Sequence, residues 1–240
     1  MNRPIYTVGF WRCRKHKTEG MASTQDSDIV FRPFMETPEA LAAPERLRRL
    51  RHPVFAWARV RPIIAQHTSV EHKALQRYAA GSHTVVEIGV AEGASALALR
   101  ETMAADGTLY LIDPFHLSRM RWLNCQRRAA RVAVSYCRTA RVSWIERFSF
   151  DAVRGWDKPI DFLFIDGDHS EEGVMRDWRE WSPFVKTGGR VAFHDARMFE
   201  GGWPKESDGP VRAVNALFGG SADGWKILGE AHSLIVVERT

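Results

Sequence analysis

The residues best suited to chemistry fall in two short tracts, Asp166-Gly167-Asp168-His169 and His194-Asp195. Each follows a largely apolar run, Pro159 to Ile165 and Arg190 to Phe193, of the kind that forms a buried parallel strand. Neighbouring strands of that type bring Asp166 and His169 from one tip, and His194 and Asp195 from the next, to one crevice. A hard divalent cation takes oxygen ligands from several carboxylates and keeps water or substrate oxygens in its remaining positions. Asp166 and Asp195 meet that need. Imidazole at His194 favours a softer ion, Mn²⁺, Fe²⁺ or Zn²⁺, over Mg²⁺; the alternative is that His194 faces a substrate without ligating. Asp168 reads as a turn residue.

A second set lies upstream. Thr84 to Ile88 is an apolar run followed by Gly89, Ala91 and Gly93, then by a helical pattern through Leu97, Ala98 and Leu99. A strand, a tight loop and a helix in that order let a ligand approach backbone N–H groups at a helix N-terminus, because small residues remove the side chains that hold it away. Glu87 stands at the strand end. Gly89, Ala91 and Ala94 fit the dinucleotide fingerprint only loosely, and a glycine turn that merely packs helix on strand is the alternative. Asp113 ends the next run, Thr108 to Ile112, where a doubly wound fold places an acceptor for ribose hydroxyls; a turn aspartate before Pro114 is the plainer reading. Ser149 and Phe150 follow a third run, Val142 to Ile145, where such folds contact an adenine ring.

The elements that must position these groups form an α/β pattern. Thr68-Ser69-Val70-Glu71 has the form of a capping box opening a helix that runs to about Ala80, where Gly81 stops it. A basic helix is expected from about Arg119 to Arg138. Ser170 caps a further helix with an apolar stripe of Val174, Trp178 and Trp181. Lys186 to Gly189 reads as a turn, Val211 to Phe218 as a helix, and Trp225 to Gly229 with Leu234 to Arg239 as two strands. The loop from Phe199 to Pro210 is long enough for a substrate lid or a plain surface excursion. Upstream, Pro38 to Leu50 and Val54 to Gln66 are helical patterns interrupted by Pro53 and Pro62, and Met1 to Phe31 has no sustained period. The expected organisation is a disordered tail over 1–31, a helical cap over 32–80 and a ligand-binding domain over 81–240.

The chain has 240 residues and a net charge of +5, enough for one domain with a full core and an extension. No apolar run has the length of a membrane span and no secretory signal opens the chain, so a cytoplasmic location without membrane contact is expected. Cys13, Cys125 and Cys137 are never spaced as Cys-x-x-Cys, which suggests neither a disulfide framework nor a cysteine zinc site. The segment Arg119 to Arg141 is rich in arginine and free of acids. It reads as a solvated helix face or as a nucleic-acid or phosphate surface.

The spacing Glu87-x-Gly89-x-Ala91-x-Gly93 resembles the first motif of class I S-adenosylmethionine (SAM) dependent methyltransferases, with alanine in place of the middle glycine. Asp161 to Asp195 resembles more specifically the methyltransferase family that includes macrocin-type sugar O-methyltransferases and cephalosporin-hydroxylase-like proteins. The resemblance covers roughly Val85 to Val237. It is carried by Ile165-Asp166-Gly167-Asp168-His169-Ser170-Glu171-Glu172-Gly173-Val174, Gly188-Gly189 and His194-Asp195. It implies a Rossmann-like class I methyltransferase fold: a mostly parallel seven-stranded sheet with helices on both faces and an N-terminal helical extension. It also implies SAM held by Glu87, Gly89, Ala91, Gly93 and Asp113, with Ser149 and Phe150 at the adenine. A divalent metal, Mg²⁺ or Mn²⁺, would sit at Asp166, His194 and Asp195, with His169 as general base. The implied acceptor is a small hydroxylated metabolite, a sugar or natural product, methylated on oxygen. Metal-dependent members often carry an acid before the last aspartate, where this chain has His194.

Three other functions compete. A nucleic-acid methyltransferase has the arginine-rich helix in its favour, but neither an Asn or Asp followed by Pro-Pro and an aromatic residue nor a Pro-Cys nucleophile occurs. An NAD-type oxidoreductase and a non-catalytic binding module of the same fold are the others. A homo-oligomer is compatible with the sequence.

Overall fold

A computed structural model describes residues 64–115, 124–220 and 223–240, together with the strand Tyr6–Thr7. Runs that are apolar at nearly every position become parallel strands because both their faces are covered. Strands β3 (Thr84–Ile88), β4 (Thr108–Ile112), β5 (Arg141–Ile145), β6 (Ile160–Ile165) and β7 (Val185–Phe193) lie parallel. A closing hairpin, β8 (Trp225–Ala231) and β9 (Leu234–Arg239), adds β9 antiparallel to β7. The seven-stranded sheet has the order β5-β4-β3-β6-β7-β9-β8. Chain direction across the sheet therefore reverses between β3 and β6, the place where open α/β sheets bind ligands.

Strand residues alternate between the two faces. Val85, Leu109, Phe162 and Phe164 face one core with Leu75 and Ala79 of α1 (Ser69–Ala79), Ala96 and Leu99 of α2 (Ala94–Thr102), and Ala130 and Val134 of α3 (Cys125–Ser135). Val86, Leu163, Ile165, Val191 and Phe193 face the other. There α5 (Glu171–Trp181) and α6 (Gly209–Phe218) pack through Val174, Trp178, Trp181 and Phe218. The short α4 (Ser149–Ala152) precedes β6. The expected fold class, with helices on both faces, is the observed one.

Three local differences have physical causes. The expected turn at Lys186 to Gly189 lies inside β7: Val185 pairs with Ile160 and Arg190 with Phe162, so residues 186–189 form an irregular excursion with Gly188 at φ +76. The helical pattern expected through Gln66 ends otherwise, because Ile64–Ala65 (β2) pairs antiparallel with Tyr6–Thr7 (β1). Tyr6–Thr7 thus makes main-chain pairing inside the segment expected as a tail. The remaining expectations for 1–31, the helices expected between Pro38 and Ile63, and the start of the basic helix before Asn124 lie outside the described residues. Among the described residues no helix is long and apolar enough to cross a membrane.

Candidate active site

Strand register builds the site. Ile88 is paired with Ile165 and Ile165 with Phe193, so Gly89, Asp166 and His194 emerge side by side at the sheet edge. Gly89 has φ +87, and a Cβ there would collide with the Asp166 backbone carbonyl. Its lack of a side chain lets two strand tips touch. Gly93, at φ +81, caps α2, and a Cβ would stand 3.0 Å from Ala130 Cα of α3. Ala91 also adopts the left-handed region, at φ +47, where glycine is the comfortable residue. Asp113 holds this loop: Oδ2 accepts from Val90 N at 2.9 Å and Ala91 N at 3.2 Å, and Oδ1 from Phe115 N at 2.7 Å. A carboxylate has about four lone-pair sites, so Asp113 retains capacity for a ligand hydroxyl.

The loop forms one wall of a crevice of about 710 Å³, within the range of small-molecule sites. Gly89, Ala91, Asp113, Ser149, Phe150, Asp166 and His169 line it. Glu87, Gly93, His194 and Asp195 do not line it. Glu87 is fully buried; Ser95 donates to its Oε1, and among the described residues Oε2 has no hydrogen-bond partner. Burial pushes its carboxyl well above the usual range against the Ser95 hydrogen bond, and the charges of Asp166 and Asp113 push it further. A crevice that concentrates negative charge to that degree suits a cationic ligand. SAM carries a sulfonium and an ammonium, and an unpartnered buried carboxylate oxygen is a feature that such a ligand would satisfy.

Beside Glu87 is a chain of carboxylates and imidazoles. His194 Nδ1 lies 3.1 Å from Asp166 Oδ1 and 3.3 Å from Asp195 Oδ1. His169 Nε2 lies 3.1 Å from Asp195 Oδ2 and 3.6 Å from Asp166 Oδ1. Hydrogen bonding to Asp166 and Asp195 raises His169 to about 9 against the effect of burial. Burial alone would lower His194, but the charges of Asp166 and Asp195 and the contact with Glu71 lift it well above its ordinary value. Asp166 is held well below the carboxylate range: burial opposes this, and the charges and hydrogen bonds of His194 and His169 outweigh it.

The expected metal does not fit this donor set. Among the described residues no group of three or more His, Cys, Asp or Glu side chains is arranged to hold an ion. The oxygens that would ligate face imidazole nitrogens, and Asp195 Oδ1 also accepts from the Trp203 indole N–H. To ligate, an imidazole must present a lone pair, whereas both nitrogens of His194 face carboxylates. Asp166, His194 and Asp195, the residues expected at a divalent ion, are instead paired, carboxylate with imidazole, in a charge-compensated cluster.

Sequence reasoning missed several residues here. Glu71, read only as a helix cap, reaches 3.7 Å from His194 Nε2. His67 lines the crevice with Nε2 3.0 Å from His72 Nδ1, and burial keeps both rings neutral, His67 at about 3 and His72 at about 4. Asp177, next to the apolar stripe of α5, accepts from Ser149 Oγ; burial raises it to about 6 against that bond. Arg176 lies 4.7 Å over the Phe150 ring. No short motif marks any of them. Asp168 accepts from Ser170 N at 2.9 Å, a turn residue as read, and Trp203 brings the Phe199 to Pro210 loop onto Asp195.

Residues 86–196 match a family described as a methyltransferase domain. An uncharacterized protein of Acanthamoeba polyphaga mimivirus is 31% identical over 117 residues, 47% of this chain and 51% of that one. The match spans about half the length of that relative. The O-methyltransferase TomG from Streptomyces achromogenes, involved in tomaymycin synthesis and solved with SAM, superposes with a TM-score of 0.55 at 18% identity, covering 80% of this chain and 89% of that one. An O-methyltransferase from Bacillus cereus solved with S-adenosylhomocysteine (SAH) gives 0.53 at 15%, covering 84% and 94%. Residues 86–196 thus resemble a methyltransferase domain, and the fold around them is shared with these two solved O-methyltransferases.

Proposed function

We propose that this chain is a cytoplasmic SAM-dependent O-methyltransferase that acts on a hydroxyl of a small acceptor, a sugar or natural product. The observation that carries the reading is the His169 imidazole at the crevice wall, with Nε2 engaged by Asp195 and Asp166. That engagement leaves Nδ1 for an acceptor hydroxyl and makes the ring a stronger base, the logic of a carboxylate-backed histidine. When bound, SAM supplies an electrophilic methyl group on a sulfonium. Glu87, Asp113 and the loop of Gly89, Ala91 and Gly93 would hold its charged and ribose ends, with Ser149 and Phe150 at the adenine. The walls then orient the acceptor oxygen in line with the methyl, and His169 takes its proton.

The nucleic-acid alternative has less support. Arg127 and Arg131 of the basic helix are paired with Glu146 at 2.8 and 3.1 Å, and Arg131 lies over the Trp144 ring. Calorimetric titration with SAM and with NAD tests the cofactor; binding of NAD alone would sink the reading. Methyl transfer to a panel of hydroxylated sugars and phenols tests the acceptor class.

A further inference from the structure

His194 is the one ring in the site with carboxylates at both nitrogens. Nδ1 faces Asp166 and Asp195 at 3.1 and 3.3 Å, and Nε2 faces Glu71 at 3.7 Å. A ring nitrogen turned to a carboxylate oxygen carries a proton, because two lone pairs would repel. Nε2 makes no hydrogen bond among the described residues and meets Glu71 only at ion-pair distance, but with three carboxylates around one ring the geometry points to an imidazolium at His194.

Glu71 is held from three sides. Its Oε1 accepts from the Ser233 N–H at 2.8 Å and from the Ser233 hydroxyl, in the β8–β9 turn, while Oε2 accepts from the Thr68 N–H. With Glu71 fixed and the Phe164 ring edge-on at 6.2 Å, the His194 ring is confined in place.

We propose that the His194 imidazolium, fixed by Glu71 as its positioning residue, takes the place of a divalent cation between Asp166 and Asp195, so that this site transfers methyl groups without a divalent metal. The inference rests on the O-methyltransferase reading. Its consequence concerns the substrate: without an ion to chelate, an acceptor needs one hydroxyl and no vicinal oxygen partner. The acceptor O–H gives its proton to His169 Nδ1, the oxygen forms the new bond to carbon as the S–CH₃ bond breaks, and SAH leaves.

The test uses the full chain. Mn²⁺ is titrated while its free-ion paramagnetic signal and the protein's melting temperature are followed. Wild type is expected to leave the ion free up to about 1 mM and to show no melting shift. His194→Glu, which replaces the cation with oxygen donors, is expected to gain a Mn²⁺-dependent rise in melting temperature. Stoichiometric uptake by wild type overturns the proposal. Ring ¹⁵N spectra are expected to find both His194 nitrogens protonated in wild type and one proton lost in Glu71→Gln; two retained protons remove Glu71 from the role. SAH is expected to raise the melting temperature of wild type and Glu71→Gln alike. Failure of SAH to bind wild type counts against the methyltransferase reading itself, separately from the metal result.

Discussion

His169 accepts a proton only in the fraction of molecules whose ring is neutral, and Asp166 and Asp195 set that fraction. Their contacts raise the ring to about 9, so below that pH most molecules carry the proton and are inactive as a base. Transfer rate under subsaturating substrate is therefore expected to climb with pH and level near 9. His169→Ala is expected to lose about 10²-fold or more in rate and to flatten this limb while binding SAM as wild type does. A pH–rate profile of both proteins checks it. Glu87 behaves in the opposite sense. Its folded-state value lies above the unfolded one, so the native state is penalised as pH rises above the ordinary carboxylate value. Glu87→Gln is expected to melt higher than wild type at neutral pH, with the gap closing in acid.

At the scale of the element, the glycine loop is a packing device as well as a proposed ligand cradle. Gly89→Ala drives a methyl into the Asp166 carbonyl at a left-handed φ, and a loss on the order of 3 kcal/mol or more in denaturant unfolding is expected. Ala91→Gly relieves a left-handed alanine and is expected to stabilise by about 1 kcal/mol in the same measurement. The sequence identified the strand, loop and helix at Thr84 to Leu99 but left open whether each small residue serves a ligand or a neighbour. Only register shows that Gly89 yields to Asp166 and Gly93 to Ala130.

Across the whole molecule, α1 ties the start of the seven-stranded sheet to its end. Thr68 Oγ1 accepts from Glu71 N at 3.2 Å, lies 3.0 Å from His232 Nδ1, and shares Glu71 with Ser233. Thr68→Ala is expected to cost about 1–2 kcal/mol, read from urea unfolding, as for other lost helix caps. Glu71 is lowered to about 2: burial opposes the shift, and His194, Ser233 and Thr68 overcome it. A depressed carboxyl stabilises the fold above its unfolded value and loses that contribution as pH falls towards the folded one. The acid limb of stability, from about 4.5 down to about 2, is expected to flatten in Glu71→Gln.

The sequence by itself determined the strands, their parallel layout and the capping box, because apolar runs of strand length and a Thr-x-x-Glu spacing are local signals that packing here reinforces. It also brought Asp166, His169, His194 and Asp195 to one edge, since they lie just beyond the ends of two adjacent strands. Tertiary structure alone decided what these groups do to one another. Whether two carboxylates hold an ion or an imidazolium depends on where a third carboxylate stands, and Glu71 arrives from a helix more than a hundred residues away in the chain. Electrostatic partnership between buried groups follows distance in space, to which spacing along the chain gives no guide.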